Sequence, residues 1–170
     1  KTIVHEVRKN RITNISATPT FYRLLLPAED VCPSVTRITS GGEKFDEHAL
    51  TLLQEMFPNA RITNVYASTE AGTLFASKGN EFTIKEEMEH LIKVEEHELF
   101  LHKSLMGESS GLKTEGDWYA TGDLIEVTGH SPFTFHFISR KNELINVGGY
   151  KVNPIEVEEI IRLCPGVLDV

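Results

Sequence analysis

The chain has 170 residues, which as a prior is one domain or at most two small ones. A complete domain of that size would bury roughly 70% of the surface its unfolded chain exposes. Hydrophobic residues make up 40% and charged residues 25%, as in ordinary globular proteins, and no apolar run approaches the ~20 residues of a membrane span. A net charge of −8 with a pI near 5.4 disfavours a general grip on nucleic acid, which needs clustered Lys and Arg against phosphates. The two cysteines, Cys32 and Cys164, are far apart with no partner spacing and read as small buried hydrophobes of a reduced, cytoplasmic protein. The chain begins at Lys1 with no basic-then-apolar signal segment and looks like an excised piece.

Arg11 to Ala17 is the first strand candidate. Thr18-Pro19 then offers an N-cap and a proline at the first helical position, so a helix follows through Phe21, Leu24 and Leu25. Val35 to Thr39 is a second short β-branched run, punctuated by Gly41-Gly42. Asp46 caps a helix whose Leu50, Leu53, Met56 and Phe57 form one apolar stripe, ended by Pro58-Asn59. Arg61 to Tyr66 is the third strand, and this order with such short turns implies parallel pairing through a right-handed crossover. The strands open on similar letters, Arg11-Ile12-Thr13-Asn14, Arg37-Ile38-Thr39-Ser40 and Arg61-Ile62-Thr63-Asn64, about 25 residues apart. The helices between them do not match, so this is not a repeat.

From about Thr73 the texture changes to short alternating runs: Glu81 to Lys85, Glu98 to His102, Leu124 to Thr128 and Phe133 to Ile138. These read as antiparallel sheet. Glu86 to Glu98 reads as an acidic, solvated face and Gly107 to Gly116 as a surface loop. A third texture begins near Arg140, where Leu144 to Val147, Gly148-Gly149 and Tyr150 to Val152 suggest a hairpin. Asn153-Pro154 then caps a helix carrying Ile155, Ile160 and Ile161, and Val167 to Val170 reads as the start of another strand. The expected fold is α/β, a mixed α+β chain with a parallel βαβ part over 1–72, an antiparallel β-rich part over 73–139 and a third segment over 140–170.

In a parallel α/β sheet, ligands sit beyond the carboxyl ends of the strands. The two loops there are Ser40-Gly41-Gly42-Glu43 and Ala67-Ser68-Thr69-Glu70-Ala71-Gly72, which should lie side by side. Gly41-Gly42 lets a flat ligand approach the backbone closely, Ser68 and Thr69 supply donors for an anion, Glu70 is a hard oxygen ligand suited to Mg²⁺, and Tyr66 can stack on a base. Taken separately, Gly-Gly is equally a plain turn and Ser-Thr-Glu a helix cap. In Tyr119-Ala120-Thr121-Gly122-Asp123, a glycine beside an acid places a carboxylate for the two hydroxyls of a ribose, although an Asp after Gly is more often a turn residue. There is no Gly-x-Ser-x-Gly elbow or triad neighbourhood, and the seven histidines are scattered without metal-ligand spacing.

The order and spacing of these segments resembles the adenylate-forming superfamily of acyl-CoA synthetases, nonribosomal peptide adenylation domains and related ligases. Thr18-Pro19-Thr20 is similar to the family's proline-threonine helix start, and Ser40 to Glu43 resembles the adenine-side loop. Asn64 to Glu70 resembles the Asn-x-Tyr-Gly-x-Thr-Glu motif and Tyr119 to Asp123 the Tyr-x-Thr-Gly-Asp motif. Ser139 to Glu156 resembles the Gly-Arg-x-Asp hinge with its glycine-rich loop. The resemblance implies that Gly42 and Glu43, with Gly41 before them, border an adenine, that Tyr66 stacks on it and that Asn64 helps recognise it. It implies further that Thr69 touches the α-phosphate and Glu70 holds Mg²⁺, which makes these two the catalytic residues, and that Asp123 binds the ribose with Arg140 beside it. Gly148 and Gly149 would approach the nucleotide or a pantetheine arm after a small C-terminal domain, 140–170, rotates about a hinge at Asn142; residues 1–139 would then belong to the large domain.

Three residues depart from the family pattern: Ala67 and Ser139 stand where Gly is usual, and Asn142 where Asp or Lys is usual. The phosphate loop with its Lys and the C-terminal catalytic lysine are not found in the chain, and Lys44, Lys141 and Lys151 lie outside the expected contexts. The expectation is thus part of an ATP-dependent carboxylic acid ligase that forms an acyl-adenylate and then a thioester with CoA or a carrier protein, the piece itself being inactive. The alternatives are an adenylation domain loading a carrier protein and a non-catalytic nucleotide-binding scaffold. The partners expected are a small carboxylic acid and CoA or a carrier protein, without nucleic acid or a membrane span.

Overall fold

The computed structural model describes residues 2–26, 30–45, 47–107, 114–167 and 170. The expected helix cap Asp46 and the middle of the Gly107–Gly116 loop lie outside the described residues. The chain opens with a helix the sequence reading did not anticipate, α1 (Thr2–Lys9), which buries Val4 and Val7. It ends with Arg11 in the left-handed region at φ 50°, while the Ile12 amide reaches back to the Val7 carbonyl at 3.0 Å. That C-cap consumes the start of the expected first strand, so β1 covers only Asn14–Ala17.

Helix α2 (Pro19–Arg23) starts as expected, with the Thr18 hydroxyl accepting from the Phe21 amide. The buried face is set by Tyr22 rather than by Leu24, which is 73% exposed. Strand β2 (Arg37–Gly41), helix α3 (Glu47–Met56), strand β3 (Arg61–Ser68) and strand β4 (Gly72–Ser77) follow. They form a sheet of order β1-β2-β3-β4 in which the first three strands are parallel and β4 returns antiparallel to β3. The change of sheet thus falls after Ser77, not at Thr73. The Tyr22 hydroxyl is shared between the carbonyls of Ile15 (3.1 Å) and Thr39 (2.8 Å), and its ring stacks on Phe45. Burial pushes its pKa up to about 12. Together with Val35, Ile38, Leu53 and Phe57 it forms the first core.

The next elements are β5 (Glu81–Thr83), the short α4 (Glu86–Glu89), β6 (Ile92–Glu95), β7 (Glu98–His102), β8 (Trp118–His130) and β9 (Phe133–Arg140). The strands make an antiparallel sheet of order β5-β9-β8-β7-β6. The acidic stretch Glu86–Glu98 is only in part a solvated face: it contains β6, and Glu98 is buried. Beneath this sheet Phe75, Phe82 and Phe135 pack edge-on and stacked around Tyr66, which β3 contributes from the first sheet.

Strands β10 (Ile145–Val147) and β11 (Tyr150–Val152) form the expected hairpin, and α5 (Pro154–Arg162) is capped by Asn153, whose Oδ1 accepts from the Ile155 amide at 3.1 Å. Val167 and Val170 are not in a strand, and Asp169 between them lies outside the described residues. No helix among the described residues is long and apolar enough to cross a membrane.

Candidate functional site

The crossovers dictate that the carboxyl ends of β2 and β3 emerge together. Ser40 pairs with Asn64 and Gly41 with Val65, after which β3 runs on through Tyr66, Ala67 and Ser68. Gly41 owes its lack of a side chain to packing, because a Cβ there would stand 2.5 Å from Val65 Cγ2 and 2.8 Å from the Val65 carbonyl. Gly42 has φ +87° and open space where its Cβ would be, a conformation glycine adopts without strain. Glu43 turns back to α2, accepting from the Thr20 amide (3.1 Å), the Thr20 hydroxyl (2.6 Å) and Arg23 (3.3 Å), so this loop is fastened to the second helix.

The facing wall comes from an irregularity in the second sheet. Glu98 pairs with Leu124 and Phe100 with Ala120, so Thr121, Gly122 and Asp123 stand opposite Leu99 alone. Gly122 takes φ +75°, and the Thr121 hydroxyl donates to the Leu99 carbonyl (2.7 Å) while accepting from the Asp123 amide (3.0 Å). The segment is therefore a bulge within a strand, not the free turn that Gly-Asp alone suggests. Asp123 is 4% exposed. The Tyr66 hydroxyl donates to its Oδ2, and Arg140 Nε lies 3.1 Å from its Oδ1 without the alignment of a hydrogen bond. Burial raises the Asp123 pKa above the ordinary carboxylate value, only partly opposed by Tyr66 and Arg140. Tyr66 is raised well above the ordinary phenol value, first by burial and then by the Asp123 charge.

Between these walls lies a cleft. Gly42, Glu43 and Lys44 edge it on one side; Asn64, Tyr66 and Ala67 lie along β3; Asp123 and Arg140 face them, with Asn80, Phe82 and Phe137 completing the lining. Three oxygens of these residues, Asn64 Oδ1, Asn80 Oδ1 and Asp123 Oδ1, are buried without a hydrogen-bond partner. Buried acceptors left unpaired are costly, so the two amide oxygens, beside an Asp123 oxygen held only by the Arg140 ion pair, suit a ligand that brings N–H and O–H donors on an apolar body. Asn80 and Phe137 were not singled out in the sequence, and Lys44 was named there only as a lysine outside the expected contexts. Asn80 follows Gly79 between two strands and reads there as an ordinary turn residue.

The structure brings together Gly42, Glu43, Asn64, Tyr66, Asp123 and Arg140, and leaves Gly41, Thr69, Glu70, Asn142, Gly148 and Gly149 off the lining. Thr69 and Glu70 occupy the turn from β3 to β4, where the Ser68 hydroxyl accepts from the Ala71 amide at 3.1 Å. No helix follows, so the helix-cap alternative does not apply. Glu70 lies close enough to Tyr119 for its charge to act on the phenol, whose pKa is raised first by burial and then by the Glu70 charge. Among the described residues no group of three or more His, Cys, Asp or Glu is placed to hold a metal. Asn142 sits in a turn closed by the Glu143 amide on the Arg140 carbonyl (3.0 Å), and Gly148 and Gly149 make the β10–β11 turn at φ 59° and 91°. Lys44 pairs with Glu159 of α5 at 2.8 Å.

Comparison with known proteins identifies the family and the fold. Residues 1–94 match the AMP-binding enzyme family, and the chain belongs to that family, the adenylate-forming superfamily. It is 24% identical to the nicotinic acid-CoA ligase olcI of Penicillium canescens, over 99% of this chain and 35% of that protein. It is 25% identical to 4-coumarate-CoA ligase-like 5 of Oryza sativa subsp. japonica, over 96% of this chain and 32% of that protein. The chain thus spans about a third of the length of these relatives. In fold it is similar to an E. coli MenE variant with bound OSB-AMS, with a TM-score of 0.73 and 23% identity over all of this chain and 38% of that one. It is likewise similar to the O-succinylbenzoate coenzyme A synthetase of Bacillus subtilis in complex with ATP and magnesium ion, with a TM-score of 0.68 and 20% identity over 99% of this chain and 40% of that one.

Proposed function

We propose that the cleft binds the adenosine part of ATP for an AMP-forming acid-thiol ligase, of which this chain supplies the nucleotide wall and the hinge. The observation that supports this reading is the meeting of Gly42, Asn64, Tyr66 and Asp123 around one cleft, with Asn64 Oδ1 buried without a hydrogen-bond partner and the buried Asp123 Oδ1 faced by the Arg140 guanidinium. Asn64 Oδ1 accepts from the adenine amine, the exposed part of Tyr66 and Gly42 flank the base, and the Asp123 carboxylate takes the ribose hydroxyls. Thr69 and Glu70 lie off the cleft lining, on the turn after β3; there Thr69 meets the α-phosphate and Glu70 supplies one carboxylate to Mg²⁺. That would suit an ion held largely by substrate phosphates, and when bound it would supply neutralisation of the phosphate charge for adenylation. The acyl-adenylate then transfers its acyl group to the thiol of CoA or of a carrier arm, which forms the thioester and releases AMP, in an orientation reached by turning 140–170 about Asn142. The chain by itself is inactive in this reading.

Calorimetric titration of the chain with AMP and with GMP tests it. Saturable AMP binding that exceeds GMP binding, with no ATP-pyrophosphate exchange for any carboxylic acid, is expected. Absence of AMP binding, or equal affinity for GMP, would sink the adenine assignment, and exchange in a clean preparation would show that the chain is catalytically complete.

A further inference from the structure

Glu98 opens β7 and is 7% exposed, yet it is a carboxylate in the middle of a sheet. Such a group is costly to bury unless both oxygens are occupied, and here both are. Oε1 accepts the Gly122 amide at 3.1 Å, and Oε2 accepts Lys141 Nζ at 2.7 Å. The Lys141 amide in turn donates to the Gly122 carbonyl at 2.7 Å. Both backbone polar groups of Gly122 are thus held by the Glu98-Lys141 pair, at the apex of the bulge that carries Asp123. The bulge places three residues opposite Leu99, which takes Gly122 out of the regular ladder and leaves its amide in need of another acceptor.

We infer that Glu98 is a positioning residue for nucleotide binding: by accepting the Gly122 amide in the gap of the β7–β8 ladder, it fixes the bulge that aims the Asp123 carboxylate into the cleft. This rests on the reading of Asp123 as a ribose ligand. The Tyr66 hydroxyl and Arg140 hold the carboxylate end of Asp123, whereas Glu98 and Thr121 hold its backbone end. Lys141 neutralises Glu98 from the solvent side, and Glu98 in return holds the Lys141 ammonium above its ordinary pKa.

The experiment compares the affinity of the chain for AMP and for 2′,3′-dideoxy-AMP, which lacks the hydroxyls that Asp123 would bind, with folding followed by circular dichroism. The unaltered chain should prefer AMP by about tenfold, as for a lost hydrogen bond to a charged group. Glu98→Met is close in shape but accepts no hydrogen bond, and should cut that preference to about twofold by weakening AMP alone. Glu98→Gln keeps an acceptor for the Gly122 amide and should restore the preference. If Glu98→Met does not fold, Glu98→Asp takes its place, since its carboxylate is one methylene short of Gly122 and the same selective loss is expected. An undiminished preference in the folded variant, equal weakening of both ligands, or failure of Gln to rescue would overturn the positioning role. A chain that binds both ligands equally well before any substitution overturns the ribose assignment of Asp123, and the role of Glu98 with it.

Discussion

The two sheets of this molecule are built on different logic. The parallel sheet places its functional loops by topology alone, because two βα crossovers must deliver the ends of β2 and β3 to the same edge. The antiparallel sheet presents Asp123 only by breaking its own regularity, with a bulge, a glycine at φ +75° and a buried carboxylate behind it. The cores differ as well: the first is largely aliphatic, while the second sets Phe rings around Tyr66 beside the aliphatic Ile84, Leu99, Leu101 and Ile125. Tyr66 belongs to a strand of the first sheet and to the core of the second, and its hydroxyl bonds to Asp123. One wall of the cleft therefore follows from chain order, and the other depends on side-chain partners that lie far apart in sequence.

The largest test separates the cores. Phe135 is fully buried against Tyr66, Phe75 and Phe82, so Phe135→Ala should lower stability to urea by about 3–5 kcal/mol. Under conditions where the variant stays folded, AMP affinity should fall as well, because Tyr66 loses its support. Leu53→Ala, in the first core, should cost about 2–5 kcal/mol and leave AMP affinity of the folded protein within about twofold of the original, an expectation that follows from the additivity of distant sites. Equal loss of AMP binding in both variants would mean that the two sheets act as one unit.

A smaller effect tests the wall that the second sheet provides. Burial raises the Asp123 pKa above its unfolded value of about 3.9, so folding favours the protonated carboxyl. That contribution to stability is complete below the unfolded value and is lost as pH rises through the folded one. At pH 7 the charged group therefore works against folding, and Asp123→Asn should melt at or above the temperature of the original chain. The difference should shrink toward pH 3, where both side chains are neutral. AMP affinity should nevertheless drop about tenfold or more, the pattern of a residue kept for binding rather than for stability. A clear fall in melting temperature at pH 7 would instead make Asp123 a structural residue.

This contrast also explains what the sequence disclosed. The parallel strands, the Thr18-Pro19 and Asn153-Pro154 helix starts and the hairpin at Gly148-Gly149 were legible because each depends on neighbours within a few residues. The similar strand openings were not a repeat: Arg37 pairs with Arg61, but it is Asn14, not Arg11, that stands opposite Arg37. Arg11 illustrates the limit, since a helix stop that uses a left-handed Arg in place of Gly leaves no signal. Glu98 illustrates it again. In a stretch rich in Glu its burial depends on Gly122 and Lys141, 24 and 43 residues away. Of the site, the residues that line the cleft from β3 and the bulge were anticipated, whereas Asn80 and Phe137 were not, because their roles arise only where the two sheets meet.

The smallest expected effect concerns the C-terminal segment, which differs from both sheets in how it is held. Helix α5 has no buried residue, and Ile160 and Leu163 are largely exposed. Its Glu159 reaches Lys44 at 2.8 Å, and both side chains keep more than a quarter of their surface in solvent. A partly exposed pair of this kind is worth about 0–1 kcal/mol and is screened by salt. A double-mutant cycle with Lys44→Met and Glu159→Gln, read as urea stability of the chain, should therefore give a coupling below about 1 kcal/mol that vanishes in 1 M NaCl. Such weak coupling is what a segment free to turn about Asn142 requires, since each orientation must be easily exchanged for the other. Lys44 also edges the cleft, so an anionic ligand there competes with Glu159, and AMP should reduce the coupling further. A coupling of several kcal/mol that survives salt would instead show α5 fixed against the first sheet, and the proposal that 140–170 rotates as a unit would fail.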